Sequence, residues 1–166
     1  MSDFELLASY HTHSDLYRRF KGEDLSLSWT SIYPMLFDKD DLRIAKNQAE
    51  MGYHFYEWLA AILIFHSYGL FSLLEQYQFK NHSNKQEKLT KLTNQDVISF
   101  MQSHPDFGNV QCPDLLVYSP DYSDWFFCEV KGPNDALRET QVDFFKELSN
   151  KSKKPIKVVE FKNINS

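Results

Sequence analysis

A chain of 166 residues is about the size of one domain, and its make-up of 42% hydrophobic, 16% aromatic and 25% charged residues excludes a disordered, collagen-like or disulfide-stapled polymer. Eighteen Lys and Arg against 23 Asp and Glu leave a formal charge of −5, which argues against coating nucleic acid or anionic membrane through bulk charge. Any nucleic-acid contact must be local.

The segment from Met1 to Tyr10 lacks the basic start and apolar run of a secretory signal, so no export is expected. Cys112 and Cys128 form neither a CxxC pair nor a zinc-spaced cluster, and a reduced, cytoplasmic protein is expected. Residues 1–40 show no sustained period and carry turn signals at Lys21-Gly22-Glu23-Asp24 and at Pro34. They read as a helical or irregular N-terminal extension packed on a core formed by residues 41–166.

From Asp41 to Ser67, the residues Leu42, Ala45, Ala49, Gly52, Phe55, Leu59, Ile62 and Phe65 recur at spacings of three and four, predicting one long helix closed by Gly69. Its most apolar stretch, Trp58 to Phe65, is far short of the roughly 20 residues that span a membrane, so it is expected to be buried and no membrane partner is expected. Leu70 to Phe79 reads as a strand, Lys80 to Lys91 as an exposed loop, and Leu92 to Gln102 as a short helix capped by Thr93 or Asn94. After a turn at His104-Pro105-Asp106-Phe107-Gly108, Leu115 to Tyr118 and Trp125 to Lys131 form a hairpin across the turn at 119–124. A helix over Leu137 to Leu148, beginning near Asp135 as its cap, and a last strand over Ile156 to Phe161 complete the order. This pattern predicts an α/β fold, a mixed central β-sheet flanked by helices, without internal repeats.

Within the hairpin, Pro113-Asp114 opens one strand and Glu129-Val130-Lys131 closes the next. Glu129 and Lys131 are two apart and project from one face. On a strand as apolar as Trp125-Phe126-Phe127-Cys128, buried charges are rare unless they are paired or hold a metal. If the hairpin sets Asp114 beside Glu129, their mutual repulsion favours a divalent cation between them. Oxygen ligands suit Mg2+ or Mn2+, and phosphodiester hydrolysis suits such an ion with an ammonium beside it. A salt-bridged sheet edge would use the same three residues, and the spacing by itself leaves both readings open.

Pro113-Asp114 followed by Glu129-Val130-Lys131 resembles the PD-(D/E)xK nuclease signature. The longer run from Cys112 to Phe145, about a fifth of the chain, is similar to the VRR-NUC branch of that superfamily, with its PDL strand, EVKGPND turn and helix glutamine. The resemblance implies a restriction-endonuclease-like core in which Asp114 and Glu129 bind Mg2+ or Mn2+, Lys131 assists the water and Gln141 lies nearby. It also implies an upstream helix acid that completes the metal set. Glu57 fits that place, with Glu50 as runner-up and Glu75 third. Stand-alone members of that branch tend to be dimers that cut branched DNA, so the resemblance further implies junction or flap DNA as substrate and a homodimer.

Local basic charge offers a nucleic-acid track: Arg138, Lys153 and Lys154 in one segment, Lys80, Lys85 and Lys88 in another. Solvated surface lysines would look the same. His11-Thr12-His13-Ser14-Asp15 looks like the first metal motif of the PHP phosphoesterases, but His54, His66, His82 and His104 supply no matching pairs and no strand pattern precedes it. A surface or capping role for His11 and His13 is the better expectation. The leading reading is a DNA endonuclease. Its rival is a non-catalytic module that binds nucleic acid or a partner on the same fold, and a role in phage defence or mobile-element processing would leave the chemistry unchanged.

Overall fold

The computed structural model describes residues 3–22, 24–38, 41, 51–52, 54–74, 77, 83–103 and 112–164. Five strands, β1 (Phe4–Thr12), β2 (Phe71–Leu74), β3 (Leu115–Tyr118), β4 (Trp125–Lys131) and β5 (Ile156–Asn163), form one sheet in the order β1-β5-β4-β3-β2. β1, β5 and β4 run parallel, whereas β3 and β2 are antiparallel to their neighbours, so the sheet is mixed as expected. Helices cover both faces, an arrangement consistent with a restriction-endonuclease-like core. Among the described residues, no helix is long and apolar enough to cross a membrane.

One face carries α1 (Ser14–Lys21), α2 (Asp24–Ile32) and α3 (Phe55–Tyr68). Phe20, Leu25 and Trp29 of the first two pack with Phe55, Trp58 and Ile62 of the third against Leu115, Val117, Cys128 and Val130. α3 is apolar over most of its circumference, which suits a helix enclosed between sheet and neighbouring helices. The other face carries α4 (Ser83–Leu92), α5 (Gln95–Ser103) and α6 (Glu139–Ser152), whose Leu89, Val97, Met101, Phe145 and Leu148 meet Leu73, Leu116 and Phe127.

The β3–β4 hairpin has the expected bounds, and Asn94 caps α5 by accepting from the Val97 N–H at 3.0 Å. Three expectations fail. The first 40 residues are no mere appendage, because β1 is a nine-residue strand of the sheet and joins β5 near the far end of the sequence. The long helix expected from Asp41 does not run unbroken: Gly52 and His54 take left-handed φ values of 72° and 63°, and α3 starts only at Phe55. A Cβ on Gly52 would also lie 2.5 Å from the Tyr17 hydroxyl oxygen, so glycine is required there twice over. Gly69 closes α3 as expected, with its N–H donating to the Phe65 carbonyl at 2.8 Å.

The supposed loop before Lys91 contains α4, whose inward positions are Lys85, Leu89 and Leu92. Because the first of these is a lysine, apolar periodicity alone could not show the helix. Lys85 is 1% exposed; its ammonium donates to Asp41 Oδ1 at 2.6 Å and to the Leu74 carbonyl at 2.8 Å. It is therefore a core residue and not the DNA contact expected from the sequence. Burial pushes the Asp41 carboxyl above its usual range more than the Lys85 charge draws it down. Truncating Lys85→Ala strands a buried carboxylate and is expected to lower stability by about 3–5 kcal/mol. The double variant Asp41→Leu/Lys85→Met recovers most of that loss in urea titrations.

Candidate active site

The antiparallel register that pairs Leu115 with Cys128 carries Asp114 to the side of Glu129, where β3 begins and β4 nears its end. The Asp114 N–H donates to Glu129 Oε2 at 3.2 Å, and Asp114 Oδ2 accepts from the Val130 N–H at 2.9 Å. Lys131 lies two residues on, on the same face, with its ammonium 3.0 Å from Glu129 Oε1. Gln141, in the first turn of α6, bridges the pair: its Nε2 donates to Glu129 Oε1 at 3.0 Å, and its Oε1 accepts from Lys131 Nζ at 3.3 Å. The same Oε1 accepts from the Arg138 N–H at 3.1 Å, so the glutamine is held by the helix entry as well. Glu129 is 2% exposed and Lys131 8%, which makes this a charged cluster inside the fold and not a surface salt bridge.

The charges do not balance. Burial pushes the Asp114 carboxyl well above its ordinary 3.8, and the nearby carboxylates Glu129 and then Glu57 raise it further; the Val130 N–H pulls the other way. Glu57 lies in the first turn of α3, with His54 Nδ1 at 4.0 Å from Oε2. Two further carboxylates thus act on Asp114 where Lys131 is the ammonium bonded into the cluster. Glu50 and Glu75, the other candidates for the helix acid, lie outside the described residues, as does Lys80.

α3 and α6 approach from opposite faces, and both begin at this rim, so two helix N-termini border it. The fit on the α3 side depends on Gly132, where a Cβ would come within 3.0 Å of Tyr56 Cε2. Tyr56 immediately precedes Glu57, so the glycine after Lys131 lets the helix acid approach the strand end. Tyr77, fully buried, donates to the Pro113 carbonyl at 2.7 Å and fixes the residue before Asp114. No periodicity marks Tyr77 in the sequence. Asp135 does not cap α6: the helix starts at Glu139 behind Arg138, and Asp135 instead accepts from the Ala136 N–H at 2.9 Å and lies 3.9 Å from Lys131 Nζ.

The expected nucleic-acid lysines are not gathered here. Lys154 donates to the Trp125 carbonyl at 2.7 Å and to Asp124 at 3.0 Å, at the start of β4, six residues and roughly 20 Å from Lys131 along the strand. Lys153 precedes it at the C-cap of α6, and Lys88 lies over the Tyr118 ring, which is paired with Trp125 at that same far end. Of the described candidates, Arg138 alone stands beside the rim, exposed three residues before Gln141. His13 caps α1, its Nδ1 accepting from the Asp15 N–H at 3.1 Å, as the capping expectation had it; a strand, β1, does precede the motif.

No family model and no curated protein matches this chain. Among solved structures it is similar to a crystal structure of paFAN1 bound to 2-nt 5′-flap DNA with a gap. The two share 14% identity and a TM-score of 0.30 over 68% of this chain and 24% of that one. This chain therefore spans about a quarter of the length of that protein. Among the described residues, no three His, Cys, Asp or Glu side chains are gathered as a ready cation cage. The donor chemistry still suits a hard divalent cation, since oxygen ligands and surplus negative charge are what such ions select.

The raised Asp114 carboxyl has a consequence for stability. As pH rises past 3.8 the unfolded chain loses this proton first, so folded-state stability declines until the folded group ionises as well. Asp114→Asn removes that decline while keeping an acceptor for the Val130 N–H. In chelator-treated protein at pH 7 the variant is expected to melt on the order of 2–4 °C higher than wild type, with the gap closing toward pH 4. Equal melting temperatures across that range would contradict the charge surplus.

Proposed function

We propose that this chain is a Mg2+- or Mn2+-dependent nuclease that hydrolyses phosphodiester bonds of DNA at the rim formed by β3 and β4. The observation that carries this reading is the surplus of carboxylate around the buried Glu129, where Asp114 stands beside it and Glu57 acts on Asp114, next to a single bonded ammonium, Lys131. Asp114 and Glu129, with Glu57 completing the set, are the residues that would hold the ion. When bound, such an ion polarises the phosphoryl oxygen and lowers the pKa of the attacking water. The similarity of Cys112 to Phe145 to the VRR-NUC pattern supports the same chemistry and makes flap and four-way junction DNA the first substrates to offer.

The protein's own groups have defined tasks in this reading. Water adds to phosphorus on the side opposite the leaving sugar oxygen, that P–O bond breaks, and the leaving oxygen takes up a proton. Lys131 supplies positive charge to the phosphoryl oxygens as they gain it. Gln141 holds the ammonium and Glu129 in register, so the charge is in place before reaction. The two helix N-termini favour an anion at the rim. Opposed cuts across a junction need two single-site copies, and a homodimer belongs to this reading by resemblance.

End-labelled duplex, flap and junction DNA incubated with Mn2+ tests it. Lys131→Met is expected to lower the cleavage rate about 10²–10³-fold with little change in DNA affinity, and Asp114→Asn to abolish cleavage. Undiminished cutting by Asp114→Asn would overturn the proposal.

One observation favours a second reading. Glu129 already accepts from Lys131, Gln141 and the Asp114 N–H, so the cluster is satisfied without an ion, as a non-catalytic binding module would require. Calorimetric titration with Mn2+ separates the two: heat that disappears in Glu129→Ala belongs to the nuclease, and no heat in wild type belongs to the module.

A further inference from the structure

α1 lies near the rim, where Arg138 alone of the described sequence candidates stands. Because β1, β5 and β4 are parallel, β1 ends on the same side of the sheet as Glu129 and Lys131. The register aligns Lys131 with Glu160 and Glu160 with Ser9, so β1 runs three residues past the level of Lys131 before α1 begins at Ser14. Two strand spacings separate β1 from β4, about 10 Å. Packing joins the two places directly: Tyr56 lies against Gly132, and Tyr17 of α1 meets Phe55 edge-on with ring centroids 5.4 Å apart.

The exposed side of α1 has the chemistry of a polyanion contact. Arg18, Arg19 and Lys21 against Asp15 give three minus one, or +2, within eight residues of a chain whose total is −5. Lys21 follows Tyr17 by four residues and Arg18 by three, so the three share an exposed sector of α1 next to the buried Phe20, with Tyr17 and Phe20 both reaching Phe55. The Arg18 side chain is 77% exposed, Tyr17 is 38% exposed, and Lys21 Nζ lies 5.9 Å from the Tyr17 ring centroid. Arg18 pairs with Asp15 one turn back, a solvent-exposed contact that a phosphate can displace. Cations in a last helical turn also complement the helix dipole, and Tyr17 is held beside them by its packing on Phe55 and Gly52.

We propose that α1 is a docking surface for the DNA phosphate backbone, in which Arg18 and Lys21 each neutralise a phosphate and Tyr17 packs on the sugar or base beside them. The surface holds the duplex beside the rim, on the flank away from Arg138. The proposal takes the identity of the polyanion from the nuclease reading; the surface itself stands on charge and position.

The test is fluorescence anisotropy of labelled duplex and flap DNA with the full chain in Ca2+, over a series of salt concentrations, beside cleavage in Mn2+. Arg18→Gln/Lys21→Gln is expected to weaken binding about tenfold and to reduce the salt slope by about two, one for each lost phosphate contact. KM rises while kcat holds, and Arg18→Lys recovers the slope. Circular dichroism melts check that both variants fold. An unchanged slope in the double variant overturns the α1 surface while cleavage by wild type leaves the nuclease reading standing. A slope that depends on α1 without any Mn2+-dependent cleavage does the reverse. Wild type that binds no DNA ends both.

Discussion

Two reciprocal hydrogen bonds at the mouth of one hairpin organise the rest of the rim. The Asp114 N–H on Glu129 and the Val130 N–H on Asp114 tie two carboxylates side by side where β3 begins. Neither acid can turn away to solvent without abandoning a backbone partner. The constraint is local in space but depends on strands that pair in one register, because a slip of one residue would send Glu129 and Lys131 to the opposite face. The apolar partners Leu115 with Cys128 and Leu116 with Phe127, each buried on its own side of the sheet, hold that register.

The hairpin is expensive to hold in this form. Like charges are kept together beside the buried Glu129, and burial with its acidic neighbours pushes the Asp114 carboxyl well above its usual range. Stability and function pull against each other here, as they do wherever a fold keeps charge ready for a ligand. The Asp41–Lys85 pair, also buried, is the opposite case. There one ammonium donates to one acid and to a backbone carbonyl, the charges cancel, and the pair joins α4 to the end of β2. The charge balance distinguishes the two clusters, although both are buried and both contain lysine.

Position along the sheet distinguishes the surface cations in the same way. Lys154 and Lys157 flank a cleft lined by Glu5, Asp124, Trp125 and Phe126 at the end where β4 and β5 begin. Each is paired there, with Asp124 and with Glu5. The rim lies at the other end, bordered by the starts of α3 and α6 and by α1. A count of basic residues along the chain mixes the two ends; the parallel run of β1, β5 and β4 separates them.

The sequence by itself determined the hairpin, its turn and the shared face of Glu129 and Lys131, relations that are short in the chain and follow from strand alternation; Asp114 beside them and Gln141 nearby were implied by the family resemblance. It also narrowed the α5 cap to Thr93 or Asn94 and determined the stop at Gly69, where a single side chain or a glycine decides the backbone. Tertiary structure alone decided that β1 belongs to the sheet, since its half-exposed residues show no alternation and its partner β5 lies some 150 residues away. Only packing put Lys85 inside and ended the would-be long helix at Gly52. The same is true of Tyr56 on Gly132, which brings Glu57 to the rim, and of α1 beside it. These outcomes depend on which surfaces meet once the chain has closed on itself, and residue spacing along the chain contains no term for that.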